Sequence, residues 1–186
     1  MKGVFGGNFD PVHIGHLMLA IDAIRILDLE KILFVPAWIS PFKKDVKTIP
    51  FQHRFEMLRI ATEDKPFFEV LDIEGNRKGV SYTYNTLKEI KEKESDICLL
   101  IGEDQAEEFT SWYKWEEIIN MVEVFIFRRS AVMKQFPSYL KPLQSKIIEI
   151  SSTEIRDAMS RNEPVDYYLP DKVLSYIKKH DLYENS

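Results

Sequence analysis

His13 and His16 stand three residues apart, just beyond Gly6-Gly7-Asn8-Phe9-Asp10-Pro11 and just before an apolar series at Leu17, Ala20, Ile21, Ile24 and Leu27. That series has helical spacing, so the two histidines sit at a helix start and share one face, where both imidazoles can donate to the same group. Unpaired backbone N–H groups and the positive end of the helix dipole collect at such a start, which suits a phosphate. A solvated helix start and a metal pair lacking its other ligands are the alternatives; the glycines and the strand before them favour phosphoryl or nucleotidyl transfer. Val4 and Phe5 read as a buried strand, Gly6 and Gly7 free the backbone to turn or to approach a ligand, and Asp10-Pro11 breaks the strand.

A second such start lies near the C-terminus. Lys146–Ile150 reads as a strand that feeds Ser151-Ser152-Thr153-Glu154, a capping box with Ser151 as N-cap. Ser152 and Arg156 then share a helical face, while Ile155, Ala158 and Met159 form the buried one. Capping explains Ser151 but not an arginine aimed out of the same turn, which fits a polyphosphate.

The elements that must position these residues fit a chain of 186 residues, enough for one α/β domain over 1–186. A formal net charge of −5 argues against a nucleic-acid partner, so phosphate affinity must be local. The lone Cys98, inside an apolar run, makes neither a disulfide framework nor a cysteine zinc site. Without a signal-peptide pattern or a membrane-spanning apolar run, a cytoplasmic protein without membrane contact is expected.

Lys31–Val35 is predicted as the second strand, and Pro36, Pro41 and Pro50 bracket a long irregular stretch with Lys43, Lys44 and Lys47. Composition leaves open a lid over a triphosphate and a solvated basic loop. Phe51, Phe55 and Leu58 mark a helix on which His53 and Arg54 read as solvated or capping side chains. Phe67–Ile73 reads as a strand and Glu74–Gly79 as a turn-rich loop, with Thr83 as N-cap of the next helix. Asp96–Ile101 reads as a central parallel strand, so Gly102 and Asp104 at its carboxyl end are candidates to face a nucleotide, although Asp104 alone could be a cap. Trp112 and Trp115 would share a helical face as core aromatics. Val122–Phe127 is a further strand, with Arg128 and Arg129 beyond it either solvated or reaching phosphates, and the last residues are polar and expected to fray. This order of elements predicts a doubly wound, Rossmann-like parallel sheet.

Gly6–His16 resembles the G-G-(T/S/N)-F-(D/N)-P-x-H-x-G-H signature of the nicotinate-nucleotide adenylyltransferase family, within the H-x-G-H nucleotidyltransferases. Ile150-Ser151-Ser152-Thr153-Glu154-Ile155-Arg156 resembles that superfamily's I-S-S-T-x-(I/V)-R motif. The resemblance implies transfer of the adenylyl group of ATP to nicotinate mononucleotide, with Mg2+ carried in on the ATP. It implies catalytic roles for His13, His16 and Arg156, with Lys43 assisting; Ser40-Pro41-Phe42-Lys43 resembles the family's P-x-H-K, with Phe42 in the histidine place. It implies ATP contacts at Gly6, Gly7, Phe9, Gly102, Asp104, Ile150, Ser151 and Ser152. Tyr82 and Thr83 resemble the mononucleotide-contacting S-Y-T segment, and Trp112 and Tyr113 the W-Y pair whose tryptophan stacks on the pyridine ring. Adenylyltransferases acting on nicotinamide mononucleotide or phosphopantetheine, an aminoacyl-tRNA synthetase fragment, and a nucleotide-binding regulator are the alternatives. The synthetase is disfavoured by the short, acidic chain and the absence of K-M-S-K-S.

Overall fold

A computed structural model describes residues 1–41, 48–128 and 134–183. Among the described residues six strands form one sheet in the order β3-β2-β1-β4-β5-β6, every neighbouring pair parallel. The strands are β1 (Lys2–Gly7), β2 (Lys31–Pro36), β3 (Phe68–Val70), β4 (Ile97–Gly102), β5 (Glu123–Phe127) and β6 (Leu140–Pro142). Helices α1 (Ile14–Leu27), α2 (Phe51–Thr62) and α3 (Ile73–Arg77) come before α4 (Thr83–Lys91) and α5 (Glu103–Glu107). A 3-10 turn at Phe109–Ser111, then α6 (Trp115–Met121), α7 (Ser152–Ser160) and α8 (Asp171–Lys179) complete the set.

The four central strands alternate side chains between two apolar layers, as a pleat requires. Phe5, Phe34, Leu100 and Phe127 join the layer that holds Ala20 of α1, Met57 of α2, Ile155 of α7 and Val173 of α8. Val4, Leu33, Leu99 and Ile126 join the other, with Leu87 of α4 and Ile118 of α6. Covered on both faces, these strands read in the sequence as unbroken apolar runs, which is why they were legible. The chain steps outward from β1 to β3, then returns to β4 at the other side of β1 and steps outward again. Loops leaving β1 and β4 therefore part from each other at the carboxyl edge and open a crevice.

Four expectations are corrected. Lys146–Ile150 is not a strand: Ile147 is 43% exposed, and the Lys146 N–H is tied to Asp22 Oδ2 of α1 at 2.8 Å. The sixth strand is instead Leu140–Pro142, and its proline, which has no N–H to donate, suits an edge. Glu74–Gly79, read as a loop, holds all of α3 but Ile73, the residue read as the end of the preceding strand, and the helix is stopped by Lys78 and Gly79 at φ 57° and 77°. Thr83 is the first residue of α4, whose cap position is taken by Tyr82. The end of the chain is not frayed as far as Tyr183, because Leu182 and Tyr183 fold back into the core.

Cys98 is fully buried in β4, and burial pushes its thiol up to about 12, so it stays protonated at neutral pH. Native protein at pH 8 is expected to leave a disulfide-exchange reagent such as DTNB unreacted over minutes, and denatured protein to react with one thiol equivalent per chain. Rapid reaction of the native protein would contradict this packing.

Candidate active site

The turn after β1 is built to fix two rings. The His13 N–H donates to His16 Nδ1 at 3.2 Å, so His16 caps the helix that follows. An N–H can only donate; Nδ1 of His16 is therefore the bare nitrogen, and the neutral ring carries its proton on Nε2. The two imidazoles stack with centroids 3.7 Å apart, and Phe9 packs edge-on against His16 at 5.0 Å. Gly15 makes room for this stack: a Cβ there would lie 3.0 Å from His13 Nδ1. Ring position is thus set by backbone and packing before any ligand arrives.

The second helix start arrives from the far end of the chain. Ser151 caps α7, its Oγ accepting from the Glu154 N–H at 3.2 Å while its own N–H donates to Glu154 Oε2 at 3.1 Å. Ser152 Oγ donates to the Pro11 carbonyl at 2.9 Å, and Arg156 Nη1 donates to the Asp10 carbonyl at 2.6 Å. Arg156 Nη2 reaches Thr153 Oγ1 at 3.3 Å. These bonds join the two histidine- and serine-bearing turns into one wall.

A cavity of about 550 Å³ lies at the carboxyl edge of β1 and β4. Gly6, Gly7, Phe9, His13 and His16 line it from the first half of the chain, and Ile150, Ser151, Ser152 and Arg156 from the C-terminal end. Gly102, Asp104, Thr83 and Trp112 line it from the middle. Gly102 carries no side chain where a Cβ would meet Asp104 Oδ1 at 2.6 Å. Trp112 and Trp115 do not share a face: Trp112 ends the 3-10 turn in extended geometry, Lys114 takes a φ of 56°, and Trp115 opens α6 against Tyr139.

Tyr82 and Tyr113, expected on the same wall, do not line the cavity. Their rings meet beside it at 4.8 Å, with Tyr113 48% exposed and the Lys114 ammonium 4.6 Å over the Tyr84 ring. Lys43, Phe42 and Arg129 fall outside the described residues.

Two groups escaped the sequence reading. Arg54, expected to be solvated, is 2% exposed and clasps three carbonyls: Asn8 at 2.8 Å, Ile49 at 3.1 Å and Trp38 at 3.3 Å. It fastens the β1 turn to the segment after β2. Burial lowers its basicity, countered by Asp10, yet a guanidinium stays charged. The available signal was position, since Arg54 lies three and four residues before the buried Met57 and Leu58 on α2. Asp10, 3% exposed and lining the cavity, accepts from the buried Tyr183 hydroxyl at 2.7 Å. Burial and the Asp10 carboxylate push that hydroxyl well above the usual tyrosine range, so it remains a donor.

Two phosphate-suited helix starts brought together at the switch point of a parallel sheet define a protein of the nucleotidyltransferase class. The chain belongs to the cytidylyltransferase-like family, whose profile matches residues 4–158. Its relatives are the nicotinate-nucleotide adenylyltransferases. It is 38% identical over 98% of its length, and 97% of the relative's, to a probable nicotinate-nucleotide adenylyltransferase of Hydrogenobaculum sp.. It is 35% identical to the nicotinate-nucleotide adenylyltransferase of Bacillus subtilis, with 98% of each chain covered. The fold matches the Plasmodium falciparum nicotinic acid mononucleotide adenylyltransferase complexed with NaAD at a TM-score of 0.79 and 24% identity, covering 100% of this chain and 98% of that one. A putative nicotinate-nucleotide adenylyltransferase from Vibrio parahaemolyticus gives a TM-score of 0.73 at 21% identity, covering 100% of this chain and 96% of that one.

Replacing Arg54 by alanine would strand three carbonyls in the interior. Arg54→Ala is expected to cost on the order of 3 kcal/mol of unfolding free energy, measured by urea denaturation followed by circular dichroism. A cost below about 0.5 kcal/mol would mean that the clasp is not a structural tie.

Proposed function

We propose that the protein transfers the adenylyl group of ATP to the phosphate of nicotinate mononucleotide, yielding nicotinate adenine dinucleotide and pyrophosphate. The observation that carries this reading is the junction of the two helix starts, Ser152 to Pro11 and Arg156 to Asp10, beneath the stacked His13 and His16. One helix start would hold one phosphate group; two at one wall suit the polyphosphate of ATP and an incoming phosphate together. The names of the relatives support the choice of the pyridine mononucleotide.

In this reading an oxygen of the mononucleotide phosphate attacks the α-phosphorus of ATP in line. A new P–O bond forms there, and the bond from the α-phosphorus to the bridging oxygen breaks, so that pyrophosphate leaves with the electron pair. No covalent enzyme intermediate is needed. His16 donates through Nε2, and His13 and Arg156 answer the charge that builds on the phosphate oxygens, with Lys43 assisting. Gly6, Gly7, Phe9, Gly102, Asp104, Ile150, Ser151 and Ser152 receive the ATP. Trp112 stacks on the pyridine ring, an interaction worth about 1 kcal/mol, and Thr83 contacts the same nucleotide. Tyr82 and Tyr113 adjoin that end of the cavity through Thr83 and Trp112. Among the described residues no group of three or more His, Cys, Asp or Glu side chains could hold a metal by itself. Mg2+ bound to the triphosphate would neutralise part of its charge.

The whole chain, 1–186, acts in this reading as one nucleotidyltransferase domain, in the cytoplasm and without a nucleic-acid partner. No helix among the described residues is long and apolar enough to cross a membrane.

His16→Ala is expected to lower kcat about 10²- to 10³-fold, as loss of one preorganised donor does, while the Tm stays within a few degrees of wild type. A pyrophosphate-release assay with ATP and nicotinate mononucleotide measures it, and near-normal turnover would end the proposed role of His16. In the same assay nicotinate mononucleotide is expected to give a higher kcat/KM than nicotinamide mononucleotide. A strong preference for the amide would overturn the substrate assignment.

A further inference from the structure

Arg156 lies beside a carboxylate that could capture it. Its Nη1 is 4.0 Å from Asp10 Oδ2, and the same nitrogen already donates to the Asp10 main-chain carbonyl at 2.6 Å. The Asp10 side chain is almost wholly buried, where attraction between opposite charges is strong. A full ion pair at that spot would commit the guanidinium to the protein instead of to a ligand in the cavity, which both residues line.

The other carboxylate oxygen is occupied from the end of the chain. Tyr183 donates its O–H to Asp10 Oδ1 at 2.7 Å, across 173 positions of sequence. The residue is held for that contact. Beyond α8 the chain turns through Asp181 at φ 50°, the Leu182 N–H returns to the Ile177 carbonyl at 3.1 Å, and Tyr183 itself takes a φ of 70°. A bulky aromatic in the left-handed region is strained, and packing and the hydrogen bond to Asp10 hold it there. Its ring is 4% exposed, so the hydroxyl meets the carboxylate without competition from bulk water.

We infer that Tyr183 is a positioning residue for the transfer. By donating to Oδ1 it meets the buried carboxylate's need for a donor and fixes the orientation of the carboxyl group, so that Oδ2 stands back from Arg156. The guanidinium then stays directed to a polyphosphate. This inference rests on the reading of Arg156 as a polyphosphate ligand given above. It also assigns Asp10 a cost: once its donor is lost, the carboxylate competes with the substrate for the same cation.

The competition can be read directly by calorimetric titration of the full-length protein with inorganic tripolyphosphate, which needs no turnover. Tyr183→Phe keeps the ring and removes one hydroxyl; it is expected to weaken tripolyphosphate binding about tenfold. On an Asp10→Asn background, where no charge is left to capture Arg156, the same substitution is expected to change binding less than about twofold. A purely structural role would give the same loss on both backgrounds, and that result, or wild-type binding by Tyr183→Phe, would overturn the inference. Should Tyr183→Phe alone fail to fold, Asp10→Asn and Asp10→Asn/Tyr183→Phe still decide: a tenfold difference between them would equally overturn it. Arg156→Gln separates the two readings. If it binds tripolyphosphate as wild type does, the polyphosphate role of Arg156 falls and the inference with it. If it binds weakly while Tyr183→Phe binds normally, only the role of Tyr183 falls.

Discussion

Two hydrogen bonds from α7 to the turn after β1, Ser152 to the Pro11 carbonyl and Arg156 to the Asp10 carbonyl, are the constraint on which the site depends. A parallel sheet alone brings the carboxyl ends of β1 and β4 together and leaves a crevice, with the start of α1, the first of the two phosphate-suited helix starts, facing it. The donors of α7 add the second, and they do so by satisfying carbonyls that the break after β1 leaves outside the ladder. Backbone economy and ligand geometry are met by the same atoms. That is why Ser152 sits inside the cap and not at it: Ser151 satisfies the helix, which frees Ser152 for the cross-link.

The interior around this junction holds charged groups. Arg54, Asp10, Arg156 and the Tyr183 hydroxyl lie on or under one wall, and the electrostatic influence of Asp10 reaches both Arg54 and Tyr183. Burying such groups is unfavourable unless every one is paired, so they specify a single arrangement more than they add stability. The surrounding apolar layers, two-sided and continuous, supply the stability that lets this wall be polar.

Much of the fold was legible because its physics is local. Strands buried on both faces show as apolar runs at Leu33, Leu99 and Val124, and the helix starts at His13 and Ser151 carry their own spacing. The candidate residues His13, His16, Ser152 and Arg156 came from such local patterns, Thr83 and Trp112 from the family resemblance, and the cavity does gather them. What escaped was long-range. Helical phase turns Arg54 inward, but no local rule supplies the three carbonyls it clasps, or tells that a tyrosine four residues past α8 answers an aspartate in the first turn. The Lys146–Ile150 stretch misled for a related reason: it has a strand's composition, but the pairing edge was already taken by Leu140–Pro142 and closed by a proline. The face expected to be shared by Trp112 and Trp115 failed through the backbone between them, extended at Trp112 and of positive φ at Lys114, which ends any helical register.

The order in which a ribosome emits these parts has a bearing on quality control. All six strands of the described residues emerge before α7, and the apolar layers they build can therefore assemble, in part, on a nascent chain. The phosphate wall cannot, because Ser152, Arg156 and Tyr183 are among the later residues to leave the tunnel. A chain cut short before α7 would thus carry much of the core yet none of the second helix start, and nucleotide would add mass-action stability mainly to chains that include it. Ligand binding in this architecture would favour chains that include α7 over those that stop short of it, and the latter would be left open to proteases.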